Sequence, residues 1–314
     1  MPLRGSIRGH LWLGAPALLL ALAVIGVAAL SSRDVISAGN LGNLVNRVLP
    51  LALVGLGETL ALLAGRIDLS VGAVISLSTA ILATTSVRLG WLSVPLTLLA
   101  GLACGALNAA GVRLLRVDAL ITTLAVGAIV EGAALLLLPT PGGEVDYSYY
   151  SAFYGQDLPL GWPLATIVAV FGPAFVALGY TRFGRRLYAI GSDRRAAFAN
   201  GVDVENVETA AFLLSGLLAS AAGVVVGIKI LSGDPTIGDS FTLDAVSAAV
   251  LGGVALSGGR GGPLGALAGA AALVLIGNAF NLLELNPNLQ GIAKGVIFLA
   301  ALTLFMRGSR LRAA

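Results

Sequence analysis

Residues 181–208, TRFGRRLYAIGSDRRAAFANGVDVENVE, gather five arginines and four acids in a chain that is 57% hydrophobic and only 11% charged. Guanidinium groups at this density do not make or break bonds; they pair with carboxylates and phosphates. Arg185 and Arg186, then Arg194 and Arg195, form two doublets separated by the apolar-aromatic Leu187, Tyr188 and Ile190 with Gly191. Ser192 or Asp193 has the side chain to cap a short helix through Arg194–Asn200, and Gly201 can end it. The pattern predicts a turn over TRFGRR followed by a short amphipathic helix carrying Phe198. A plain solvated loop accounts for the arginines but not for the ordered cap signals.

Chemistry of other kinds has little material. The one histidine, His10, stands near the N-terminus, and the one cysteine, Cys104, lies in an apolar run. No intramolecular disulfide, thiolate cluster or histidine relay follows from that inventory. The GGRGG turn at 258–262 resembles a phosphate loop only superficially, lacking the Lys-Ser/Thr that follows such a loop and a preceding strand. Isolated polar groups in apolar stretches are Glu58, Asn108, Thr122, Thr123, Glu131, Asn278, Asn281, Glu284 and Lys294. Each is expensive in hydrocarbon and faces other helices or a polar cavity. The GRIDLS cluster, 65–70, interrupts two apolar stretches; Arg66 is placed to pair with Asp68, Ser70 to cap the next helix, and Gly72 to allow close packing. Such a break is either a simple turn or the lining of a pathway. The pathway candidates are Asp68, Ser70, Asn108, Thr122 and Thr123, with Asp244, Asn278 and Asn281 from the second half.

The elements that must position these groups are membrane spans. The mean hydropathy is +0.93 and 42 of the 314 residues are glycine. This composition excludes a soluble domain and suits closely packed transmembrane helices. Apolar stretches of spanning length occur at about 11–31, 44–65, 71–88, 92–112, 119–138, 161–180, 209–231, 241–257, 263–283 and 289–306, the eighth being short and carrying Asp244. The expected fold is all-α and polytopic, a single transmembrane domain over 1–314 with about ten helices. With both termini cytoplasmic, only Arg33 and Arg88 fall in outside loops, as the positive-inside rule requires. The loop 181–208 is then cytoplasmic. The longest outer loop, 139–160, carries Glu144, Asp146, Tyr147, Tyr149, Tyr150 and Asp157, which read as an aromatic belt or as a docking surface. LLAGRIDLSVGAV (62–74) and ILSGDPTIGDS (230–240) echo one another, which suggests a 5+5 inverted repeat.

GRIDLSVG, ITTLAVGAIVEGAAL (121–135), GRRLYAIGSDRRAAFANGV, DAVSAAVLGGVALSGGRGGPLGALAGA and NLQGIAKGVIFLAAL (288–302) resemble the permease subunits of bacterial ABC monosaccharide importers of the ribose type, over about 40–306. The resemblance implies a non-catalytic chain of the bacterial inner membrane with no cofactor of its own. ATP and Mg would be bound by a cytoplasmic ATPase partner. It further implies a second permease chain, identical or paralogous, and a periplasmic or lipid-anchored sugar-binding protein, with no nucleic acid. Gly184–Val202 then matches the coupling element: Arg185, Arg186, Arg194 and Arg195 pair with ATPase acids while Leu187, Tyr188, Ile190 and Phe198 plug a groove. The tyrosine-rich outer loop departs from the familiar pattern and bears on partner choice. Relatives carry nucleosides, other sugars or amino acids, so the solute stays open. An ion-coupled secondary transporter is the rival of another class; its expected sign is a set of intramembrane acids and histidines around broken helices, whereas here such histidines are absent and the strongest polar feature is cytoplasmic.

Overall fold

The computed structural model describes residues 38–155, 161–284, 286, 289–296, 299 and 303. The expected first span, 11–31, and Asp157 lie outside these residues. Eleven α-helices occur among the described elements: α1 (Ala38–Leu63), α2 (Val71–Leu89), α3 (Ser93–Arg113), α4 (Ala119–Leu137), α5 (Tyr147–Tyr154), α6 (Gly161–Tyr180), α7 (Arg182–Ser192), α8 (Arg194–Ala199), α9 (Val204–Ile230), α10 (Asp239–Leu251) and α11 (Pro263–Leu282). Residues 289–296 are also helical. Among the described residues six stretches are long and apolar enough to cross a membrane, and one of them, Val71–Arg113, is α2 and α3 joined by the tight turn Gly90–Leu92. The molecule is thus an all-helical, polytopic bundle.

The longest helices, α1 and α9, run through its centre, and α3, α4 and α6 sit outside with leucines such as Leu99 and Leu136 exposed. An exposed apolar face on every peripheral helix is what lipid requires. The main core gathers Leu49, Leu53, Leu56, Val71, Ile75, Phe171, Ala219 and Leu273 from five helices.

Two expectations need correction. The stretch 241–257 is not a continuous span. Helix α10 has 13 residues, about 20 Å at roughly 1.5 Å per residue, against a hydrocarbon core of about 30 Å. Its chain then turns through Gly252 and Gly253 into the 254–262 loop, which is held by hydrogen bonds from Val254 N to Ala249 O (2.9 Å) and from Ala255 N to Arg260 O (3.0 Å). The polar loop 181–208 is also shorter than its composition suggests. Asp203 caps α9 by accepting from Asn206 N (3.1 Å), so Val204–Glu208 already belong to that helix.

The 62–74 and 230–240 echo has a structural counterpart. α1 ends in a left-handed Gly65 (φ 73°) and α9 in a left-handed Leu231 (φ 53°). Three residues later in each, an aspartate folds an Asx turn. Asp68 Oδ1 accepts from Ser70 N (3.1 Å) and Oγ (2.6 Å), and Asp234 Oδ1 accepts from Thr236 N and Oγ1 (2.9 Å each). Val71-Gly72 follows and starts α2, and Ile237-Gly238 follows and leads into α10, with Gly238 at its N-cap. The two starts meet: a Cβ on Gly72 would overlap the Gly238 carbonyl, and one on Gly238 would overlap that of Gly72. Gly238 N also donates to Ser76 Oγ at 2.9 Å.

Candidate functional site

The aspartate of the first Asx turn is the centre of a buried polar knot. Asp68 is fully buried, and it accepts from Asn108 Nδ2 (3.2 Å) and Ser215 Oγ (2.7 Å) as well as from Ser70. Asn108 Nδ2 also reaches Ser70 Oγ (2.8 Å), Thr123 Oγ1 accepts from Leu69 N (3.1 Å), and Glu58 Oε1 lies 3.4 Å from Asp68 N. Elements α1, α3, α4 and α9 therefore converge on one loop. A buried polar group is costly unless bonded, and here the bonds hold a non-helical segment inside the bundle. Ser70 makes no cap bond of its own; Asp68 supplies that turn, contrary to the expected Ser70 cap. Nor does Arg66 pair with Asp68. Its Nε lies 3.2 Å from Glu208 Oε1, with Asp118 at 3.9 Å.

The second-half candidates sit elsewhere. Asp244 of α10 receives Lys294 Nζ at 2.6 Å, a pair whose side chains stay 20% and 26% exposed. Asn278 is buried and Asn281 exposed on α11. Thr122 is buried at the α3–α4 contact, its methyl against Gly111. Asp68, Ser70, Asn108 and Thr123 thus form one group and Asp244 with Lys294 another.

The arginine-rich segment is a welded unit at one end of the bundle. TRFGRR is not a turn but the start of an 11-residue helix, capped by Thr181, whose Oγ1 accepts from Gly184 N (3.4 Å). Phe183, Leu187 and Ile190 fall on one stripe of that helix. Asp193 caps α8 by accepting from Ala196 N (2.9 Å), and Gly201 (φ 77°) follows its end. Leu187 and Ile190 are buried on Leu60, Leu63, Ala64 and Leu178, so they do not face a partner as the plug reading expects. Gly184 and Gly191 are packing positions: a Cβ on either would overlap the carbonyl of Leu178 or Leu63. Tyr188 Oη donates to Gly261 O (2.8 Å), tying α7 to the 254–262 loop, and Arg194 pairs with the buried Glu208. What remains outward is Phe198, 73% exposed, with Arg185, Arg186 and Arg195. Glu208 and Ser215, the partners that organise both sites, carried no local sequence signal.

At the opposite end α5 carries the tyrosines. Asp146 caps it through Ser148 N (2.8 Å), and the hydrogen bonds from Ser148 hold its carboxyl below the usual carboxylate range. Tyr149 cannot meet an external partner: it is 1% exposed, stacked on Trp91 at 4.2 Å and hydrogen-bonded with Ser93 Oγ at 2.9 Å. Tyr147 and Glu144 are exposed and Tyr150 is half-buried. Gly142 and Gly233 exchange backbone hydrogen bonds (2.9 and 2.8 Å), fastening this cap to the loop after α9.

A helical bundle with an apolar periphery, a polar knot in its centre and arginines massed at one end is a multi-pass membrane protein. Residues 40–302 match the family described as branched-chain amino acid transport system / permease component. The chain is 34% identical to the ribose import permease protein of Escherichia coli K12 over 92% of this chain and 93% of that one. It is 35% identical to the ribose import permease protein of Bacillus subtilis over 84% of each. With the L-arabinose transport system permease protein of Escherichia coli K12 the identity is 34%, over 79% of this chain and 77% of the other. No solved structure matches significantly. The chain belongs to this permease family, as a non-catalytic, multi-pass permease component.

Proposed function

We propose that the chain is the permease of an ATP-driven, binding-protein-dependent importer of a monosaccharide. The observation that carries the coupling is the α7–α8 unit. It is locked to α1, α6, α9 and the 254–262 loop by Leu187, Ile190, Tyr188 and Arg194, and it presents Phe198, Arg185, Arg186 and Arg195 outward. A rigid-body push on such a unit reaches the bundle without being absorbed by a loop. The outward residues suit a groove in a cytoplasmic ATPase that binds ATP and Mg. The positive-inside rule puts the arginine-rich unit inside and 139–160, on the far side of α6, outside, where Glu144, Tyr147 and Tyr150 are available to a periplasmic or lipid-anchored binding protein.

The matched Asx turns and the Gly72–Gly238 contact support a 5+5 inverted repeat. The Asp68 knot is its fixed pivot, and the partly exposed Asp244 and Lys294 with the buried Asn278 and the exposed Asn281 belong to the pathway. Glu131 stands exposed on α4 among apolar side chains, a position expensive in lipid. It supports a second permease chain, identical or paralogous, on that side. The ribose and arabinose relatives favour a pentose as cargo.

Proteoliposomes holding this chain with its ATPase and binding protein should take up labelled ribose only with ATP, sensitive to vanadate and indifferent to collapse of the proton gradient. Uptake by the chain alone that follows an ion gradient would overturn the reading in favour of a secondary transporter.

A further inference from the structure

A cavity of about 480 Å³ opens at the arginine-rich end, between the end of α3, the 116–118 segment and the first turns of α9. Arg66, Arg113, Arg116 and Arg194 line it, facing Glu205 and Glu208. Asp118 at its edge is occupied as the cap of α4, accepting from Leu120 N at 2.9 Å, and is 3.9 Å from Arg66. Ala109, Val112 and Phe212 contribute apolar side chains to a mainly polar lining. The volume lies within the ~300–1,000 Å³ typical of small-ligand sites.

The pairing inside it is lopsided. Arg66 and Arg194 both address the same atom, Glu208 Oε1, although each guanidinium has several donors. Arg113 pairs with Glu205 (3.0 Å) and donates to Asn206 Oδ1 (2.9 Å). Arg116 makes no ion pair among the described residues, and it is held there in a left-handed backbone conformation (φ 56°) that a non-glycine residue adopts at a cost. Four cations thus line one concave space with three carboxylates, and their guanidinium groups have more donors than those carboxylates engage. Forked donors match the oxygens of a phosphate group, which carries more charge and more acceptors than a carboxylate. The apolar side chains of Ala109, Val112 and Phe212 in the same lining leave room for a small carbon skeleton attached to that phosphate.

We infer that this cavity binds a phosphate-bearing anion, either a phosphorylated small molecule or an anionic lipid headgroup. The site shares Arg194 with the α7–α8 unit, but its occupancy is measured on the permease chain alone, so failure of the site and failure of the coupling reading are distinguishable. The chain is purified into phosphatidylcholine nanodiscs, and binding of inorganic phosphate and ribose 5-phosphate is followed by equilibrium dialysis, with ribose as the uncharged control. Saturable binding of the phosphates but not of ribose is expected, weakening as salt rises. Arg116→Gln and Arg113→Gln should each lower the affinity about tenfold, the scale of a lost charge-assisted contact, with unchanged melting temperature. Repeating the measurement with phosphatidylglycerol separates the sources: loss of phosphate binding in those discs assigns the site to a headgroup, and its persistence assigns it to a solute. No phosphate binding in phosphatidylcholine, or binding that both arginine variants retain in full, would overturn the site.

Discussion

Asp68 accepts hydrogen bonds from Ser70 N and Oγ, Asn108 Nδ2 and Ser215 Oγ, all away from water. Asp68→Ala leaves those donors facing one another, at a cost of roughly 2–4 kcal/mol for an emptied buried polar site. A fall in the melting temperature of the detergent-purified chain should accompany the loss of uptake; unchanged stability would mean that the knot holds nothing together. Half of this site was readable in the sequence. The polar GRIDLS break between two apolar stretches points to Asp68 and Ser70 as groups that need partners, but to a Ser70 cap and an Arg66–Asp68 pair rather than to the Asx turn that forms. Ser215 was not readable, because it sits in an apolar helix 147 residues away and resembles any small residue at a helix contact. Glu208 hid for the opposite reason, looking like one more acid of a charged loop until α9 was seen to begin at Val204.

At the scale of elements, α7 carried its signal openly: Phe183, Leu187 and Ile190 repeat at helical spacing, but the arginine doublet between them masked the period. α10 could not be read correctly from composition. A half-length helix buried by protein is as apolar as a full span facing lipid, and only its 13-residue length separates the two. The weld between α7 and the 254–262 loop depends on Tyr188 as a neutral donor, and burial pushes its phenol up to about 12. The folded pKa lies above the ordinary value of about 10, so this contribution is intact below about pH 10 and is lost as pH rises from there through the folded value of about 12. Limited proteolysis within 181–203 should therefore accelerate above about pH 10, and Tyr188→Phe should lack that alkaline step. An identical alkaline profile in the variant would place the weld elsewhere.

For the whole molecule, the bundle is polar along its axis, with arginines at the α7–α8 end and tyrosines at the α5 end. The positive-inside rule converts this axis into a membrane orientation. Cys104, the one native thiol, is buried, so single cysteines introduced at exposed positions report sidedness against a quiet background. Phe198→Cys should react with an impermeant maleimide only in inside-out vesicles, and Tyr147→Cys only in right-side-out vesicles. Both sites reacting from one side would break the topology. The central claim, that α7–α8 passes the ATPase cycle to the bundle, is tested most directly by ATPase activity of the reconstituted complex with and without loaded binding protein. Phe198→Asp combined with Arg195→Glu should abolish stimulation and uptake while the chain still inserts and melts as the parent does. Full stimulation with normal uptake in that double variant would contradict the account.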